Sequence, residues 1–339
     1  MNQIIEGEAG AQKASSSDVR RLPHSALGIS LGIAEVANSW GLANIHFGTP
    51  AFIPEVLFAV SGLWWLIVML ARAPLTLHRI AQLRQEFSHP ADGPLLAYVP
   101  VIALLLTIHY GPYIGSTAHS TLTLVFVAAL ALVCARLLSH WMSGELRLEQ
   151  IHPGYALPVI AGSFIASMAL MSAGFESLAF AAAAVGAFYW LSLGTIIFLR
   201  LLQGPQLPVP LRPTMAVLVT PPVTAGLAWF SLCDGQIDKM QIGLAGIVVL
   251  LLLMQLFVAP TYLRDGFHKG WWAILFPLGA IASYTLRWSI SSPNQLADTL
   301  AWIALSGATL VLLGLGLATI RLSIPSGRRS KSPASTTGD

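Results

Sequence analysis

Two ionisable side chains, Glu35 and Arg287, and one aromatic ring, Phe276, stand in long apolar stretches where their chemistry has consequences. Glu35 lies about midway along segment 25–45, and the spacing 28, 32, 35, 39 puts it on one helical face with Gly28, Gly32 and Ser39. A carboxylate at the centre of so apolar a helix costs roughly 2.5–3.5 kcal/mol on insertion scales, so it is functional or held by a partner. Protonated, it can exchange a proton; ionised, it needs a partner, and Arg287 and His109 are the candidates. Arg287, near the end of segment 270–290, either concentrates anions at an opening or snorkels toward water. Phe276 precedes Pro277, whose ring removes a backbone bond one turn earlier, so the phenyl group is either packing or a plug.

Other polar residues carry weaker signals. Arg212 stands at the start of segment 213–233, and His152, next to Pro153, reads as a helix cap or anchor. Asn38, Thr220, Thr224 and Ser283 offer hydroxyl and amide dipoles of the kind that line selective paths, although hydroxyls also bond their own helix. Trp271, Trp272 and Trp288 read as interfacial anchors. The chain has no HExxH, no nucleophile elbow and no phosphate-binding loop with its lysine, and its nine histidines are scattered. Cys134 and Cys233 form no CxxC pair. Neither an enzyme nor a metal or cofactor site is expected.

The elements that must position these residues follow from composition. Charged residues make up 10% of the chain against 55% hydrophobic, far from the roughly 25% charged of soluble domains. This composition specifies an all-α polytopic membrane protein. Windows of about 17–25 apolar residues give ten spans: 25–45, 53–72, 94–111, 118–139, 155–173, 177–201, 213–233, 241–262, 270–290 and 296–320. Of the 18 Lys and Arg, only Lys239 and Arg287 fall outside the two tails and the even-to-odd connections. The positive-inside rule therefore puts both termini in the cytoplasm. The net charge of +3 reads as orientation, not as nucleic-acid binding. Residues 1–24 and 321–339 are expected to be disordered cytoplasmic tails flanking a transmembrane domain over 25–320, and no cleaved signal peptide is expected. Residues 75–91 can form an amphipathic helix on the membrane face.

Interruptions gather in the odd spans: Gly28 and Gly32, Pro100, Pro158, Pro221 with Pro222, and Pro277. The even spans are smoother and more aliphatic, as lipid-facing helices are. Because proline frees backbone groups that lipid cannot satisfy, kinked helices belong inside protein or beside water. Five hairpins with an inner ring of five kinked helices around a pore follow as the expectation; a compact bundle without a lumen is the alternative.

Four motifs, LGISLGIAEVANSW at 27–40, IHPGYALPVIAGSFIA at 151–166, LRPTMAVLVTPPVTAGLAWFS at 211–231 and GWWAILFPLGAIAS at 270–283, resemble the tellurite-resistance and C4-dicarboxylate transporter family (TehA-like). That family includes the slow anion channels of plant guard cells. The resemblance implies ten helices in five tandem hairpins, a pore through each protomer of a homotrimer in a bacterial inner membrane, and occlusion by Phe276. It implies transport of small anions such as chloride, nitrate, sulfite, malate or other C4-dicarboxylates, with a link to tellurite tolerance in some members. Gly28, Gly32, Glu35, Pro100, Pro158, Pro221 and Pro277 are then pore-lining or kink positions, and Arg287 and Arg212 serve the mouths. At Glu35 the family pattern has a small or neutral residue. That departure opens a second reading, a proton-coupled dicarboxylate or sulfite exporter. An intramembrane redox subunit would need facing histidines at membrane depth, and only His109 comes near; a sensor or scaffold would pass no anion at all.

Overall fold

Proline and small residues set the local structure from the start of each odd segment. A computed structural model describes residues 24–78, 86, 87, 89, 93–144 and 146–323. Its long helices are α1 (Leu27–Phe47), α2 (Phe52–His78), α3 (Tyr98–Ile114), α4 (Ser116–Trp141), α5 (Gly162–Ser172), α6 (Glu176–Gln203), α7 (Thr220–Leu232), α8 (Lys239–Leu263), α9 (Leu275–Ser291) and α10 (Gln295–Ser323). Among the described residues there is no strand.

Each odd helix is preceded by a tighter or wider turn. Before α1, α3, α7 and α9 these are 3-10 segments, His24–Ala26, Gly93–Ala97, Val209–Val219 and Lys269–Ile274. Before α5 a 3-10 turn, Pro153–Tyr155, leads into a π-helical stretch, Leu157–Ala161. The prolines expected to kink the odd helices mark these junctions instead. Pro100 and Pro277 are the third residues of α3 and α9, Pro221 and Pro222 the second and third of α7, and Pro158 lies in the π stretch. In a first turn the missing N–H has no intrahelical partner to lose, so proline begins an α-helix cheaply there. The interruption is a change of helix type, not a bend in mid-helix.

At the opposite end the odd-to-even turns are tight. Gly48, Gly115, Gly174 and Gly235 occupy four of them with φ between +67° and +84°, a backbone region costly for any residue with a Cβ.

Helix contacts repeat with the same period. Each odd helix packs on the even helix that follows it, α1 on α2, α3 on α4, α5 on α6, α7 on α8 and α9 on α10. The odd helices also touch in a closed cycle: α1 to α3, α3 to α5, α5 to α7, α7 to α9, and α9 back to α1. Burial divides accordingly. In the odd spans from Gly93 onward 61–89% of the central window is buried, against 11–22% in the even spans. The even helices turn residues such as Leu63, Leu132, Leu191, Leu250 and Leu310 outward, which suits a lipid surface.

Nine of the described helices are long and apolar enough to cross a membrane. The remaining long helix, α1, spans 21 residues but carries Glu35, Asn38, Ser39 and Asn44, which lower its apolarity. The expected tails over 1–23 and 324–339, and most of the expected amphipathic segment at 75–91, lie outside the described residues.

Candidate functional site

The seam between α1 and α9 is the most extensive contact in the cycle, and missing side chains make it possible. A Cβ on Gly32 would stand 2.8 Å from the Leu275 side chain, and one on Gly279 would stand 2.9 Å from the Val36 backbone nitrogen. The space that Gly32 leaves is therefore filled by Leu275 and does not widen a lumen. Gly28 faces Tyr98 of α3, whose ring would lie 3.7 Å from an added Cβ.

This proximity brings Glu35 to Ser283. The Ser283 hydroxyl donates to Glu35 Oε1 at 2.8 Å, and Asn38 Nδ2 donates to the same oxygen at 3.2 Å and to Ser283 Oγ at 3.2 Å. Glu35 is 2% exposed. Its partners are neutral donors, and neither sequence candidate reaches it. His109 Nε2 lies 3.0 Å from Glu55 Oε1 instead, its ring stacked on Phe58 with centroids 3.9 Å apart. Arg287 makes no ion pair or hydrogen bond among the described residues and is partly buried. A buried acid held by an amide and a hydroxyl, with no cation beside it among the described residues, lacks the counter-charge that a buried carboxylate ordinarily has.

Phe276 is also buried, at 3% exposure. Its ring belongs to the large apolar cluster that takes Leu31 from α1, Tyr98 and Val101 from α3, Ile160 and Phe164 from the fifth span, and Ala225 from α7. Among the described residues it is the one buried side chain of the ninth span in that cluster; Leu275, Ala282 and Leu286 pack in a second cluster and Ala280 and Tyr284 in a third. The phenyl group is thus the ninth span's contribution to a cluster that also takes Phe58 from α2, Leu130 from α4, Ile197 from α6 and Leu244 from α8.

The remaining expected residues divide. Thr224 Oγ1 bonds its own helix at Thr220 O, 2.9 Å away, whereas Thr220 Oγ1 is buried without a partner among the described residues. Arg212 is not a free cation: its Nη1 lies 2.9 Å from both carboxylate oxygens of Asp265. His152 caps the turn at Pro153, its Nδ1 accepting from Gly154 N at 3.2 Å. Burial, and to a smaller degree the Arg200 charge, hold that imidazole down at about 4. His268 repeats the device with Gly270 N, also at 3.2 Å. Trp272 is not an interfacial anchor; it is buried, and its indole N–H donates to Thr319 of α10 at 3.1 Å. Trp288 packs edge-on against Phe230 and Tyr284.

Two groupings had no sequence signal. His46 Nε2 lies 3.0 Å from Asp298 Oδ1 and 2.9 Å from Ser289 Oγ, which also donates to Asp298, tying the ends of α1 and α9 to the start of α10. Arg200, read from the sequence as one more orienting charge, is buried at 2% exposure. Partners hundreds of residues apart, or backbone carbonyls, leave no local pattern to read.

A helical membrane protein with a closed cycle of buried odd helices inside a shell of apolar even ones belongs to the class of multi-pass transporters and channels. The chain belongs to the SLAC1 family, described as voltage-dependent anion channel, which matches residues 21–320. It is 24% identical over 265 residues to the tellurite resistance protein TehA homolog of Haemophilus influenzae, covering 77% of this chain and 80% of that protein. It is 26% identical over 301 residues to the S-type anion channel SLAH4 of Arabidopsis thaliana, covering 86% and 81%. The S-type anion channel SLAH2 of the same plant is 28% identical over 309 residues, covering 88% of this chain and 58% of its own length. The TehA-like resemblance of the four motifs and the family match point to the same group, a membrane anion channel or transporter.

Proposed function

We propose that each protomer conducts small anions along the axis enclosed by α1, α3, α5, α7 and α9, and that the Phe276 ring blocks that axis at rest. The observation that carries this reading is the position of Phe276. It is the buried residue through which the ninth span enters the large apolar cluster, which takes residues from every other odd span as well as from even helices, in a chain of the anion-channel family. Pro277 follows it at a junction of 3-10 and α geometry, so a small change of lead-in geometry would redirect the ring. Arg287, without a counter-ion among the described residues, draws anions to the outer mouth.

The substrates proposed are chloride, nitrate, sulfite or C4-dicarboxylates such as malate. The relative named as an S-type anion channel supports an anion as the substrate, and the particular ions follow from the resemblance of the four motifs. The setting proposed is a bacterial inner membrane, with both termini cytoplasmic and the chain assembled as a homotrimer. Anion-substitution electrophysiology on the purified protein tests the reading: currents whose reversal potential follows the anion gradient support it, and currents that follow the cation gradient contradict it.

Glu35 favours a second reading, a proton-coupled exporter of dicarboxylate or sulfite. The specific observation is a buried acid whose hydrogen-bond partners among the described residues are Ser283 and Asn38. Proteoliposome flux separates the two: a passive channel ignores a pH gradient imposed at clamped voltage, whereas an exporter is driven by it.

A further inference from the structure

Away from the α1–α9 seam, a cavity of about 230 Å³ opens where the C-terminal ends of α6 and α8 meet the 3-10 segment Val209–Val219. Arg200, Gly204, Gln206, Arg212, Met215 and Thr261 line it. Its volume is that of roughly seven waters of the liquid.

The charges in this cavity do not balance. Arg212 is matched by Asp265, with Nη1 2.9 Å from each carboxylate oxygen. Arg200 has no such match: its Nε donates to Glu149 O at 3.2 Å and its Nη1 to Pro205 O at 2.7 Å. Both are neutral carbonyls, which satisfy two donors and leave the positive charge uncompensated. The Nη2 groups of both arginines take no hydrogen bond among the described residues. A guanidinium buried to 2% exposure without an anion is costly, and such groups are ordinarily paired. The field of Arg200 is felt nearby, since after burial it is the second cause that keeps His152 neutral.

The geometry points to a phosphate-binding site in this cavity, in which Arg200 and Arg212 hold the phosphate of an anionic lipid headgroup or a free phosphate ion. A planar guanidinium presents paired N–H donors that match two oxygens of a tetrahedral oxyanion, which is why arginine is favoured for phosphate. The surroundings suit a lipid: Leu201, Leu207 and Met215 line the cavity, and Phe257, one turn before Thr261 on α8, is exposed. By the positive-inside distribution this end faces the cytoplasm, where basic pockets between helices take anionic headgroups. No residue of α1 or α9 lines the cavity.

Native mass spectrometry and thermal unfolding of the full-length protein in neutral detergent test it. The probes are phosphatidylglycerol, phosphatidylcholine, inorganic phosphate, and chloride at matched ionic strength. Gln206→Glu puts a negative charge into the exposed rim without touching the buried framework; Arg200→Gln removes the charge itself. We expect phosphatidylglycerol or inorganic phosphate to bind and stabilise where phosphatidylcholine and chloride do not, and Gln206→Glu to weaken that binding by about fivefold or more. Displacement of phosphatidylglycerol by inorganic phosphate assigns the free ion as a ligand, and resistance to displacement assigns the headgroup. Equal binding of the two lipids with no phosphate effect, or a Gln206→Glu protein that binds as the unaltered protein does, overturns the site.

Discussion

The Ser283 hydroxyl donates to Glu35 Oε1 at 2.8 Å, joining α9 to α1 across 248 positions of sequence through the one acid buried among the described residues of the odd spans. Asn38 completes the group from the same side as Glu35. Glu35→Gln keeps an acceptor oxygen for both donors and is expected to leave the unfolding temperature close to that of the unaltered protein. Glu35→Ala strands the buried Ser283 donor, a loss of about 1–3 kcal/mol. Thermal unfolding in detergent separates these outcomes, and equal loss in both variants would show that the bonds do not hold the seam. If proton coupling operates, Glu35→Gln also abolishes the response of flux to a pH gradient.

The seam itself depends on what is missing at position 279. An added methyl would meet Val36 N at 2.9 Å and the Glu35 carbonyl carbon at 3.0 Å, both backbone atoms that cannot swing aside. Gly279→Ala is therefore expected to destabilise the protein by about 1–3 kcal/mol. Gly246→Ala on α8, where nothing lies within 4 Å of the added methyl, is expected to leave stability unchanged. Unfolding temperatures measured side by side check the contrast.

These two sites mark how far the sequence could be read. Spans and the difference between odd and even helices came from hydropathy and the placement of proline and glycine, which are local properties. The face shared by Gly32, Glu35 and Ser39 was legible from helical spacing, yet the partner of Glu35 was not, because no periodicity links residue 35 to residue 283. The prolines were visible as interruptions, but sequence does not distinguish a kink in mid-helix from a first turn that follows a 3-10 segment; only the position of Ala97, Val219 and Ile274 as the residues before α3, α7 and α9 decides it. Likewise Arg212 read as a free charge at a mouth because Asp265 lies 53 positions away.

His152 gives a pH dependence. Its folded pKa of about 4 lies below the ordinary 6.5. Between these values the unfolded chain binds more protons than the native one, so stability rises with pH there. The contribution is fully present above about pH 6.5 and lost progressively as pH falls toward 4, by at most about 3 kcal/mol. His152→Asn retains a capping side chain without the titration. The unfolding temperature of the unaltered protein is expected to drop more over this interval than that of the variant, and parallel curves would remove His152 from the explanation.

Arg287 tests the electrostatics of the outer mouth proposed above. With no anionic partner among the described residues, its charge acts on the solution, so Arg287→Gln is expected to lower anion conductance about two- to fivefold at low ionic strength. The difference should shrink as salt is raised. A deficit that persists unchanged in high salt would assign Arg287 to packing.

The central claim is that the Phe276 ring closes the axis within the cycle of odd helices. Planar-bilayer or whole-cell recording of Phe276→Ala, normalised to the amount of folded protein, tests it directly. Removing the ring can cost about 3–5 kcal/mol of stability, which makes that normalisation essential. Anion currents well above those of the unaltered protein are expected; currents no larger, at equal surface amounts, would contradict the account.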